Sequence, residues 1–145
     1  NKDPHIVFVT KSGTKIDIYN STFLSAEKFK EETEDFLKEK GIKMGCATSN
    51  DRNLAMAALQ PHGWLDKMDS LRTACEVNAG KPAPDIYLKV AEDLGVKPEN
   101  CLVFEDIPLG IMAGKNAGMK VCAVYDEFSK ALTKEKKRLA DYWRE

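Results

Sequence analysis

The chain has 145 residues, 43% of them hydrophobic, which suits one domain over residues 1–145 with a core of its own. Its 22 basic and 23 acidic residues leave a formal net charge of −1, so no global field marks nucleic acid or an anionic membrane surface as a partner. No apolar run reaches the roughly 18 residues of a membrane span, and the opening Asn1-Lys2-Asp3-Pro4-His5 lacks the apolar core of a signal peptide, so a cytoplasmic protein is expected.

Residues 6–9 form an apolar run and residues 15–19 alternate apolar with polar, which reads as a β-hairpin turning at Ser12-Gly13. The segment 1–24 is thus a strand or a hairpin. From residue 25 onward short apolar runs alternate with helical spacing, the pattern of strands and helices around a parallel sheet. Ser25 is placed to cap a helix carrying Phe29, Phe36 and Leu37, and Gly41 ends it. A strand over 42–47 follows, then the turn Thr48-Ser49-Asn50, then a helix over 51–59 with Leu54, Ala57 and Ala58 inward. Loop and short-strand territory runs through Trp64, Leu65 and Met68 to Thr73.

After Lys81 two prolines fix the chain, and Asp85 is placed to cap a helix whose apolar positions Ile86, Leu88, Val90, Ala91 and Leu94 stop at Gly95. A strand over 101–104 comes next. The helix over 108–117 is rich in small residues (Gly110, Ala113, Gly114, Ala117), so its backbone can lie close on the sheet. Gly118 turns into a strand over 120–125, and the tail 129–145 reads as one charged amphipathic helix with Leu132, Leu139 and Trp143. The expected fold is α/β: a three-layer Rossmann-like sandwich with a mostly parallel central sheet and helices on both faces.

The four cysteines (Cys46, Cys75, Cys101, Cys122) form no C-x-x-C pair, and three lie in apolar runs where a thiol packs as a small hydrophobe. A zinc site needs clustered ligands, and only His5 and His62 are available to help. His62, beside Pro61 and Gly63, reads as a surface turn residue.

Chemistry gathers at three segments. Thr48-Ser49-Asn50, Lys81 within Gly80-Lys81-Pro82-Ala83-Pro84-Asp85, and Glu105-Asp106 each follow an apolar run or precede a helical pattern. In open α/β sheets ligands bind outside the carboxyl ends of the strands, where Thr48, Glu105 and Asp106 fall. A helix beginning just after Thr48 offers N–H groups to an anion, and the hydroxyls of Thr48 and Ser49 add donors. Lys81 is a compact charge able to neutralise a phosphoryl group, and an acidic pair suits Mg²⁺. Singly, each piece has a plainer role: a turn, a solvated lysine, a helix cap. Their order and spacing favour a phosphate and a cation meeting.

These segments resemble the haloacid dehalogenase-like phosphohydrolases, in the branch of β-phosphoglucomutase and sugar-phosphate phosphatases, closely from about Phe36 to Tyr125. The run Gly41-Ile42-Lys43-Met44-Gly45-Cys46-Ala47-Thr48-Ser49-Asn50 is similar to the family's second motif, with Thr48, Ser49 and Asn50 on the phosphate. Lys81 takes the place of the third motif's lysine. Val103-Phe104-Glu105-Asp106-Ile107-Pro108 resembles the fourth motif, with Asp106 as metal ligand and Glu105 beside it. The resemblance implies Mg²⁺-dependent hydrolysis of a small phosphorylated metabolite such as a sugar phosphate.

The front departs from the pattern. Family members carry D-x-D-G-T, whose first aspartate attacks phosphorus and whose second is the general acid and base; here Phe8-Val9-Thr10-Lys11-Ser12-Gly13-Thr14 puts Thr10 and Ser12 at those catalytic positions. A threonine has no ionised oxygen at neutral pH without an adjacent base. Only about forty residues separate Thr10 from Thr48, so the helical cap of this branch has no room and no cap domain is expected. The chain is either capless or a piece of a longer one. A mutase role fits least, since it needs a closed site. Two functions stay open: a phosphatase, impaired by the missing aspartate, or an inactive relative that binds phosphate or regulates.

Overall fold

In the computed structural model of the protein, residues 5–8, 41–60 and 65–145 are described. Thr10, Ser12, His62, Trp64, the second hairpin arm and the helix expected after Ser25 lie outside the described residues.

The apolar runs become strands. They are β1 (His5–Phe8), β2 (Met44–Thr48), β3 (Ser70–Thr73), β4 (Cys101–Glu105), β5 (Lys120–Val124) and β6 (Tyr142–Arg144). Their order across the sheet is β3-β2-β1-β4-β5-β6, and every neighbouring pair runs parallel. Both edges of β1 are taken, by β2 and by β4, which leaves His5–Phe8 no edge for an antiparallel arm.

Helices α1 (Arg52–Leu59), α2 (Asp85–Leu94), α3 (Pro108–Asn116) and α4 (Thr133–Leu139) lie between the strands. A right-handed crossover puts α1, on the way from β2 out to β3, on one face of the sheet. The same rule puts α2, α3 and α4, whose crossovers run the other way across the order, on the opposite face. The result is the expected three-layer α/β sandwich.

Burial follows the two-residue period of the strands on both faces. Ala47, Cys101, Val103, Val121 and Ala123 join Ile86, Tyr87, Val90, Ala91 and Leu94 of α2 and Ile111 and Ala113 of α3 in one core cluster. The alternate positions Met44, Cys46, Phe104, Cys122 and Val124 are buried on the other face. Gly114 lets α3 lie flat on the sheet: a Cβ there would come 2.7 Å from Val121 Cγ2. Pro108 starts α3, and Gly95 ends α2 in the left-handed conformation at φ 67°.

Four expectations are corrected. Leu54 is 57% exposed and Ala57 is exposed too, while Ala55 faces inward. In α2 Leu88 is exposed and Tyr87 is buried in its place, because Tyr87, Val90, Ala91 and Leu94 form the helical stripe. Asp85 is the first residue of α2, with Pro84 at the cap position.

The tail supplies the fourth. A 3-10 turn (Glu127–Leu132) leads into α4, and the chain then becomes β6 rather than continuing as helix. The free edge of β5 decides this: Asp141 N donates to Val121 O at 2.9 Å and Tyr125 N to Arg144 O at 2.7 Å. Asp141 also accepts from Val121 N at 2.8 Å and from Lys115 Nζ at 2.8 and 2.9 Å. Trp143 packs against the core cluster.

Candidate active site

The crossovers run outward in opposite directions from the boundary between β1 and β4, the switch point where an α/β sheet opens a crevice at its carboxyl ends. Phe8 is level with Cys46 on one side and with Phe104 on the other, so Thr48 and Asp106 each stand two residues beyond one row.

Lys81 reaches this place from the loop between β3 and α2. The loop is shaped by a turn in which Ala83 N donates to Gly80 O at 3.0 Å, by a cis Lys81–Pro82 peptide, and by Asn116 Nδ2 donating to Pro82 O at 3.0 Å. The Lys81 ammonium donates to Glu105 Oε1 at 2.7 Å and lies 3.4 Å from Ala47 O, the carbonyl just before Thr48. The Tyr87 hydroxyl donates to the same Glu105 oxygen at 2.6 Å. One ammonium thus ties the ends of β2 and β4 together.

Glu105 is 1% exposed. Burial pushes its carboxyl above the usual range, against the pull of Lys81 and Tyr87. Burial likewise raises the Tyr87 hydroxyl well above its ordinary value, and the Cys46 thiol to about 11. Glu105 Oε2 has no hydrogen-bond partner among the described residues and lies under Gly110, where a Cβ would come within 1.7 Å of it. Asp106, next along, is half-buried, and its backbone carbonyl accepts from the Ser129 hydroxyl at 3.0 Å.

Thr48 is buried, and its hydroxyl oxygen accepts from Asn50 N at 3.1 Å, which leaves the hydroxyl proton to donate elsewhere. Ser49 and Asn50 are exposed beside it. The start of α1 differs from expectation: Asp51 accepts from Leu54 N at 2.9 Å, so the chain's own carboxylate occupies that helix end. The Leu54 N–H at this helix end is therefore already taken from within the chain.

The structure thus brings Lys81 and Glu105 into contact beside the end of β2, with Asp106 following directly. Sequence reasoning missed Tyr87, Gly110, Ser129 and Lys136. Tyr87 was findable, because it fits the stripe of Val90, Ala91 and Leu94 better than Leu88 does. Lys136 carries no such signal: within Lys134-Glu135-Lys136-Lys137 it reads as solvated, yet it is fully buried and donates to Ser129 Oγ at 3.0 Å.

Comparison with known proteins agrees with this geometry. The family model for haloacid dehalogenase-like hydrolases matches residues 13–118. Validoxylamine A 7'-phosphate phosphatase of Streptomyces hygroscopicus subsp. limoneus is 41% identical over 83 residues, covering 57% of this chain and 39% of that protein. Hexitol phosphatase A of Escherichia coli K12 is 40% identical over 88 residues, covering 61% of this chain and 40% of that protein. The β-phosphoglucomutase of Clostridium difficile superposes with a TM-score of 0.65 at 30% identity, over 79% of this chain and 48% of that one. The chain spans about half or less of the length of these relatives. With the strand order, the lysine and the acidic pair in place, the chain belongs to the haloacid dehalogenase-like hydrolase family, in its β-phosphoglucomutase-like branch.

Proposed function

We propose that the protein is a Mg²⁺-dependent phosphatase acting on a small phosphorylated metabolite, a sugar phosphate by the analogy of its relatives. The observation that carries this reading is the Lys81 ammonium, 2.7 Å from Glu105 and 3.4 Å from the carbonyl that precedes Thr48. A phosphoryl group beside Lys81 would meet a fixed positive charge on one side and the Thr48, Ser49 and Asn50 turn on the other. Lys81 offsets the charge that builds on the phosphoryl oxygens, and Glu105 and Tyr87 hold it in place for that task.

The acidic pair fits the cation. Among the described residues no three His, Cys, Asp or Glu side chains cluster, but Mg²⁺ keeps most of its waters and needs only one or two protein carboxylates. Half-buried Asp106 would hold it, with Glu105, pinned by Lys81 and Tyr87, adding its charge from the residue before. When bound, the ion supplies charge neutralisation at the phosphoryl group.

The sequence favours a second reading. In Phe8-Val9-Thr10-Lys11-Ser12-Gly13-Thr14, the segment similar to the family's D-x-D-G-T, Thr10 stands in place of the attacking aspartate. With threonine there and Ser12 at the acid/base position, the chain would bind phosphate without turnover. A screen of sugar phosphates with and without Mg²⁺ tests both readings. Turnover by the unaltered chain supports the phosphatase, whereas turnover gained only by Thr10→Asp/Ser12→Asp supports the inactive descendant. No phosphate binding by either protein would refute both.

A further inference from the structure

Lys136 is among the largest fully buried side chains of the protein, and its ammonium lies inside with its stem. Lysines on a helix ordinarily bury the stem and keep the charge in water, so a buried head needs a reason. This one is the start of a relay. Lys136 Nζ donates to Ser129 Oγ at 3.0 Å, and Ser129 Oγ donates to Asp106 O at 3.0 Å. Ser129 is itself held by Asp126, whose side chain and carbonyl both accept from Ser129 N at 3.1 Å. Trp143 closes the other side, its ring centroid 5.6 Å from the ammonium. The carboxylates acting on the charge are those of Asp106, Asp126 and Glu105.

We propose that Lys136 is a positioning residue for the acidic pair: through Ser129 it fixes the backbone of Asp106, and its ammonium is a built-in positive charge behind Glu105 and Asp106. It biases the site toward anions and against cations. Lys81 pairs directly with Glu105 while Lys136 reaches the Asp106 backbone through Ser129, so each member of the pair is tied to an ammonium group. The inference rests on the reading of Glu105 and Asp106 as the cation site.

The test compares the unaltered chain with Lys136→Met, which keeps the volume without the charge, and Lys136→Gln, which also keeps a donor for Ser129. Isothermal titration with Mg²⁺ alone and with inorganic phosphate alone, at fixed pH and ionic strength, reads both affinities. Removing the charge should tighten Mg²⁺ binding and weaken phosphate binding, each by about tenfold, the scale of one unit charge nearby in a partly buried setting. A purely structural role would instead weaken both together. If Lys136→Met does not fold, Lys136→Gln decides alone. Affinities that move in the same direction, or not at all, overturn the proposal. An unaltered chain that binds neither ion overturns the cation-site reading and this inference with it.

Discussion

Gly110→Ala sets two effects of opposite sign against each other. Gly110 lies in α3, where alanine is favoured over glycine by about 1 kcal/mol, so helix propensity alone predicts a gain. A Cβ at this position would come 1.7 Å from Glu105 Oε2 and 2.0 Å from its Cδ. The end of a free side chain would swing away cheaply, but Glu105 is pinned by Lys81 at 2.7 Å and Tyr87 at 2.6 Å and is enclosed on all sides. Displacing it breaks a buried ion pair, a loss of roughly 3–5 kcal/mol when one partner is left uncompensated. After the propensity gain, the net loss should be about 2–4 kcal/mol. Urea unfolding of the single variants, Glu105→Ala and the double variant forms a cycle that isolates the contact. With Glu105 truncated, Gly110→Ala should be neutral or stabilising. The reasoning fails if Gly110→Ala is harmless in the unaltered background, or if the two changes simply add.

Lys81→Met should strand the buried Glu105 carboxylate and abolish phosphate binding. Burial raises the Glu105 carboxyl against the pull of Lys81, so losing Lys81 raises it further and the variant's deficit should grow as pH rises above the ordinary carboxylate range, read from urea midpoints at acid and neutral pH. Asp93 is the opposite case: its bidentate pair with Arg72, at 2.6 and 2.7 Å, holds its carboxyl below the usual value. Its contribution, about 1 kcal/mol for a partly exposed pair, should be present at neutral pH and vanish as pH falls through the depressed value, so Asp93→Asn matches the unaltered chain only in strong acid. Asp141→Asn should loosen β6 by about 1–2 kcal/mol, seen as faster amide exchange at Tyr125 and Asp141.

Periodicity carried most of the fold. Apolar runs bounded by Gly41, Gly95, Pro108 and Gly118 mark β2, α2, α3 and β5 to within a residue or two, since both faces of a parallel sheet are buried and each crossover needs a helix stop. β6 was not legible, because Tyr142-Trp143-Arg144 is too short for a pattern and becomes a strand only through the open edge of β5. In the site, Glu105 and Asp106 were marked by their place at a strand end, and Lys81 by the prolines that follow it before a helix. What they touch was hidden: that Glu105 turns inward to Lys81 and Tyr87 depends on the face it shares with Val103, and that Lys136 is buried depends on how α4 lies against α3.

The thiols offer a practical handle. Burial raises Cys46, Cys101 and Cys122 to about 11, while Cys75 is exposed. A maleimide dye at neutral pH should therefore attach at a single address, beside the Arg52–Glu76 ion pair at the end of β3. The other three sulfurs stay silent until the sheet comes apart, so a second wave of labelling would time its opening strand by strand.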